Sequence, residues 1–223
     1  MIIKTVPVRD GLRRWGPVLD SILGGLTDLP ITVQLAETPD VLVEEISDLH
    51  DAGRVAQAHA AQVRTLAADP RVAAVATGCL LEPGLDACHG LPTPVTGEIE
   101  ASVRWLTSQG HRVGFVTSSA GAAEGIRERL RIHGLTDQVA AVRAIEESPL
   151  AFTSAQAHQR IEAEMTDAAR AVRAAGASSA VGYGSRPLLA AVSASSGLEL
   201  WSPVEASIRW TAELLDLPPP DTA

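Results

Sequence analysis

What most constrains this chain is an alternation. Short runs rich in β-branched and apolar residues, at 2–6, 31–35, 72–76, 113–116, 140–142, 180–181 and 198–201, recur between longer segments with apolar residues at helical spacing. Strands separated by helices pair parallel, because a parallel connection needs a crossover long enough to return to the same sheet edge. An α/β fold with mostly parallel sheets is therefore expected. Helical periodicity is clearest where Ala56, Val63 and Leu66 share a face, where Ile99, Val103 and Leu106 precede a stop at Gly110, and where Ile126 and Leu130 precede Gly134. The longest helix is predicted from near Ser154 through Ile161, Met165, Ala168 and Val172 to Gly176. A last helix opens at Ser202-Pro203-Val204-Glu205, a capping box with proline in its first turn, and carries Ile208 and Leu215. The closing LPPPDTA cannot continue it.

The strand at 2–6 precedes one that ends at Thr77-Gly78-Cys79, and the strand at 113–117 precedes one that ends at Val181-Gly182-Tyr183. The halves thus repeat at an offset of somewhat over ~100 residues. This divides the chain into an N-terminal lobe, 1–110, with the helix at 203–217 packing back on it, a second lobe, 111–202, and a tail, 218–223. With 223 residues, 46% of them hydrophobic, both lobes can bury a core. In open parallel sheets ligands bind beyond the C-terminal strand ends, which is where Val6-Pro7-Val8, Cys79, Thr117-Ser118-Ser119 and Tyr183 fall.

Charge and residue usage exclude several functions. A net charge of -9 with no block of arginines argues against nucleic acid. No apolar stretch is long enough to span a membrane or act as a signal core, so a cytoplasmic protein is expected. Cys79 and Cys88 fit neither a CxxC pair nor a metal knuckle, no histidine pair has metal-ligand spacing, and both thiols should be free. Lys4, the sole lysine, sits in the first strand, which disfavours Schiff-base chemistry.

The segment Gly78-Cys79-Leu80-Leu81-Glu82-Pro83-Gly84-Leu85-Asp86-Ala87 resembles the aspartate/glutamate/hydantoin racemase motif, a strand-end cysteine followed by an acidic-Pro-Gly-Leu turn. Pro94-Val95-Thr96-Gly97 with Glu100-Ala101, Gly114-Phe115-Val116-Thr117 and Val142-Arg143-Ala144-Ile145 are similar to later family segments in the same order. The resemblance implies two Rossmann-like lobes related by a pseudo-twofold axis, no cofactor, and one catalytic cysteine at a strand end of each lobe. The chain departs from that pattern twice: Gly182-Tyr183-Gly184-Ser185 puts Tyr183 where the second cysteine is expected, and Val6-Pro7-Val8 replaces an Asn-Pro-Asn turn.

A two-base racemase needs an acid/base group on each face of the stereocentre, and here the second thiol is missing. Tyr183 could oppose Cys79, Cys79 could add to an alkene as in maleate isomerases of the superfamily, or Cys79 could protonate an enolate from one side, as in arylmalonate decarboxylase. The leading expectation is a cofactor-independent isomerase or racemase acting next to a carboxylate or cyclic amide carbonyl, with Cys79 as base or nucleophile and Tyr183 catalytic opposite it. A decarboxylase or lyase is the alternative, and a degenerate binding protein the third. Expected substrate contacts are Pro7, Val8, Leu80, Leu81, Thr117, Ser118, Ser119, Gly182, Gly184 and Ser185, with backbone N–H groups of the three turns holding an oxyanion. A helix N-terminus after Cys79 is expected to favour its thiolate. Plainer roles are assigned elsewhere: Cys88, His59 and His158 structural, His89 facing solvent, and Trp201 near the cleft. A homodimer is the default assembly.

Overall fold

The structure, a computed structural model, describes residues 1–154 and 156–216. Two four-stranded parallel sheets carry the fold. The first holds β1 (Ile2–Val6), β2 (Val33–Glu37), β3 (Ala74–Ala76) and β4 (Val95–Thr96) in the order β2-β1-β3-β4; the second holds β5 (Val113–Thr117), β6 (Val139–Ala144), β7 (Ser179–Gly182) and β8 (Glu199–Trp201) in the order β6-β5-β7-β8. Advancing every label of the first order by four strands gives the second, so the repeat noticed in the sequence is a repeat of topology. Among the described residues seven α-helices cover the sheets: α1 (Gly11–Leu23), α2 (Leu49–Ala67), α3 (Glu98–Ser108), α4 (Ala120–Ile132), α5 (His158–Ala174), α6 (Arg186–Ser196) and α7 (Pro203–Leu214).

Several boundaries differ from expectation. The longest helix is α2, with 19 residues, not the one expected from Ser154. The chain at 149–153 winds into a separate 3-10 turn capped by Ser148, whose Oγ accepts from the Leu150 N–H, and Ser154 is extended, so α5 starts only at His158. The segment 95–96, read as the approach to a helix, pairs with β3. α7 ends at Leu214, and the tail expected at 218–223 lies outside the described residues.

The lobes share one core. Val6, Leu80 and Ile99 from the first cluster with Phe115, Ile126 and Val181 from the second, each of these large side chains contributing roughly 1.5–3 kcal/mol through burial. α7 returns from the second sheet to lie on the first lobe, where Thr211 Oγ1 meets Thr96 Oγ1 at 2.7 Å. The C-terminal ends of β1, β3, β5 and β7 are thereby brought around one opening.

Candidate functional site

That opening is a cleft of about 100 Å³. Pro7, Val8, Cys79, Leu80 and Leu81 line it from the first lobe, and Thr117, Ser118, Tyr183 and Gly184 from the second. Three residues expected there are elsewhere. Ser119 caps α4, its Oγ accepting from the Ala122 N–H and donating to the Ser47 carbonyl. Gly182 closes β7 with its Cα toward Met165 and Leu200, and Ser185 is the N-cap residue of α6. Trp201 also misses the cleft; its ring packs edge-on against Trp105, centroids 4.8 Å apart. One wall went unforeseen. Trp15, Val18, Leu19 and Ile22 of α1 make it apolar, and Glu45 sits beside them, its Oε2 accepting from Ser148 Oγ at 2.5 Å across the lobes.

The turn that presents Cys79 is held by a relay. Gly78 must lack a side chain, since a Cβ there would lie 2.2 Å from the Thr5 carbonyl oxygen. Its N–H donates to Thr5 Oγ1 at 3.1 Å, and Thr5 Oγ1 lies 2.7 Å from His59 Nε2, whose other ring nitrogen lies 2.8 Å from the Pro83 carbonyl. A carbonyl only accepts, so Nδ1 carries the proton, Nε2 accepts, and the Thr5 hydroxyl donates to it. Burial pushes His59 down to about 4, so the ring is neutral and both ends of the Gly78–Pro83 turn hang from it. His59 is thus structural, as its place on an apolar seam suggested.

Cys79 itself takes φ 75°, a left-handed conformation that costs a non-glycine residue of order 1–3 kcal/mol. It is partly accessible, but only to the cleft. Burial pushes the thiol up to about 12; the Leu81 N–H, 3.4 Å from Sγ, and Lys4 favour the thiolate, whereas Glu98 and Glu82 oppose it. Burial thus works against the thiolate that was expected. Cys79 is followed by a turn and the short 3-10 helix Leu85–Cys88, not by the α-helix N-terminus that was expected to support the charge.

Beneath the thiol lies an ion pair that sequence reasoning missed. Lys4, 1% exposed, donates to Glu98 Oε1 at 2.7 Å, to the Thr77 carbonyl at 2.7 Å and to Ser207 Oγ at 3.4 Å. The signal was a lone lysine among Ile2, Ile3 and Val6 of a fully buried strand. Tyr183 completes the set: its hydroxyl accepts from the Leu80 N–H at 2.9 Å and donates to Glu98 Oε2 at 3.3 Å. Burial first, then the charges of Glu98 and Cys79, raise the phenol well above its ordinary value. Of the buried side-chain polar atoms without a partner among the described residues, only Thr117 Oγ1 belongs to a residue lining the cleft.

The motif glutamate, Glu82, does not reach the cleft. Its Oε1 accepts from the Ile99 N–H at 2.8 Å and its Oε2 from Arg129 Nε at 2.9 Å, with His133 Nε2 2.7 Å away. Glu82 and α3 belong to the first lobe and α4 to the second, so one carboxylate ties them together. The Glu82 hydrogen bond raises His133, and Arg129 gives two further hydrogen bonds to Asp86. Gly97 leaves room for this: a Cβ there would lie 2.2 Å from Glu82 Oε1. Cys88 is buried and His89 is exposed. Among the described residues no group of three acidic, histidine or cysteine side chains could hold a metal, and no helix is long and apolar enough to cross a membrane.

Two like parallel-sheet lobes facing one cleft, with a cysteine at a first-lobe strand end, define the racemase-fold class of α/β proteins. The chain belongs to the Asp/Glu/hydantoin racemase family, whose model matches residues 26–208. It is similar in structure to the allantoin racemase from Klebsiella pneumoniae, with TM-score 0.80, 21% identity, and 97% of this chain and 87% of that one covered. A maleate cis-trans isomerase from Nocardia farcinica follows with TM-score 0.67, 18% identity and coverage of 97% and 92%. An arylmalonate decarboxylase has TM-score 0.57, 15% identity and coverage of 96% and 92%. At these identities the likeness is one of fold. No curated protein matches the chain in sequence.

Proposed function

We propose that the protein is a cofactor-independent enzyme acting at a carbon next to a carboxylate or amide carbonyl, in which Cys79 protonates one face of that carbon after a decarboxylation or related lyase step. One observation carries this reading: in a single apolar cleft, a thiol that keeps its proton stands with a phenol whose oxygen is already bonded on both sides. Such a thiol is a poor base toward a carbon acid and a serviceable acid toward a carbanion. Racemisation would need a second group free to exchange a proton from the opposite face, and the Tyr183 hydrogen is directed at Glu98.

In the proposed step the bond from the reacting carbon to the leaving carboxylate breaks, and its electron pair passes into the neighbouring carbonyl as an enolate. CO2 departs, the carbon takes the Cys79 proton, and water reprotonates the thiolate. The apolar wall from Val18, Leu19 and Ile22 solvates a carboxylate poorly, which favours its loss as neutral CO2. Thr117 Oγ1 has no other partner to give up before donating to the enolate oxygen. The family model and the likeness to allantoin racemases favour a second reading, racemisation of a cyclic amide by Cys79 with Tyr183. We place either activity in the cytoplasm, where both thiols stay reduced.

The test is turnover in deuterated water of arylmalonates and of chiral cyclic amides. The expected result is CO2 release with one deuterium entering in a single configuration, abolished by Cys79→Ala. Deuterium exchange with loss of optical rotation and no CO2 would replace this reading by the second.

A further inference from the structure

We propose that Glu98 is a positioning residue for Cys79: its buried carboxylate, held by Lys4, fixes Tyr183 on the Leu80 N–H and places a negative charge in the cleft that the thiol lines. This rests on the reading of Cys79 as the proton donor. Three observations join here. Glu98 opens α3 at 1% exposure, with each carboxylate oxygen committed, one to Lys4 and the other to Tyr183. The Tyr183 oxygen then occupies the Leu80 N–H, the amide next to Cys79, and keeps it from serving an anion in the cleft.

The third observation is the charge around the thiol. Glu98 of α3, Lys4 of β1 and Tyr183 from the turn after β7 line the same cleft as Cys79, and Glu82 follows the thiol in its own turn. Two carboxylates thus oppose one ammonium. Glu82 is answered by Arg129 and His133 on its far side, whereas the cation that answers Glu98 also gives hydrogen bonds to Thr77 and Ser207. If the Lys4–Glu98 pair served stability alone, removing its charge would lower the melting temperature and leave the thiol as it was.

The experiment follows the second-order rate of Cys79 alkylation by iodoacetamide from pH 7 to pH 9, in a Cys88→Ser background so that one thiol reports. That rate tracks the thiolate fraction. Glu98→Gln is expected to displace the profile by one pH unit or more toward acid, an acceleration of about tenfold at fixed pH, and Glu98→Asp to return it toward the parent. Because Glu98→Gln strands a buried ammonium and can prevent folding, a Lys4→Met/Glu98→Gln pair removes both charges together and is expected to react faster than the parent. A folded variant of either kind with the parental profile overturns the proposal, even if it melts earlier. The readout needs no substrate. A displaced profile without CO2 release sinks only the lyase reading, and CO2 release with an unmoved profile sinks only this one.

Discussion

Replacing Glu82 by leucine removes the carboxylate that holds the lobes together, and the structure allows its cost to be worked out. Glu82 and Arg129 have side chains 0% and 6% exposed, so the substitution leaves a buried guanidinium whose Nε has lost its acceptor. Breaking such a pair by removing one partner costs about 3–5 kcal/mol. Arg129 keeps two bonds to Asp86, which argues for the lower end, while His133 and the Ile99 N–H lose acceptors, which argues against anything smaller. At about 3 kcal/mol, a protein of this size melts roughly 6–12 °C lower. The control is Asp86→Ala: the Asp86 side chain is 62% exposed, and an ion pair reaching into solvent contributes about 0–1 kcal/mol. Urea unfolding at pH 7 measures both. Equal costs for the two variants, or a loss below about 1 kcal/mol for Glu82→Leu, would refute the assignment of Glu82 as the interlobe tie.

Two further outcomes follow from the same geometry. His133 is raised above its ordinary value of 6.5 by Glu82, so its protonation favours the folded state; that contribution is complete below pH 6.5 and is lost as pH climbs through the raised value. The stability difference between the parent and His133→Gln is therefore expected to shrink above pH 6.5 in urea titrations, and a constant difference would contradict the ion pair. Gly78→Ala places a methyl 2.2 Å from the Thr5 carbonyl oxygen, a backbone atom that cannot swing aside, and is expected to cost about 1–3 kcal/mol and change Cys79 alkylation. An unchanged melting curve would mean that the turn has room it does not show.

The alternation of strand and helix patterns was enough to read the parallel α/β architecture, and the motif around Cys79 was enough to read the family. What escaped had physical reasons. α1 contains Gly16 and Pro17 within 13 residues and follows Asp10 in a left-handed conformation, so local signals argue against a helix that tertiary packing nonetheless stabilises. Its four cleft-facing apolar residues, and with them the character of the pocket, were hidden for that reason. Lys4 escaped because a lysine in a strand reads as an edge or a mistake until its partner is known, and Glu98 lies 94 residues away. Ser119 and Ser185 sat at strand-to-helix junctions where capping and ligand binding have the same sequence signature, and the helix took the Ser119 hydroxyl. The thiolate expected at Cys79 leaned on a helix N-terminus that does not follow it, whereas burial and carboxylates from α3 and from its own turn act in the opposite direction.

The family's signature acid turns out to be the spine of a book. Along that edge the two covers are sewn by a buried carboxylate whose loss costs several kcal/mol, whereas beside the cleft Glu45 meets Ser148 Oγ and the Leu150 N–H, and Ser119 Oγ meets the Ser47 carbonyl, partly exposed contacts that contribute about 1 kcal/mol or less each. Parting the lobes on the Glu45 side therefore costs less than parting them at the spine.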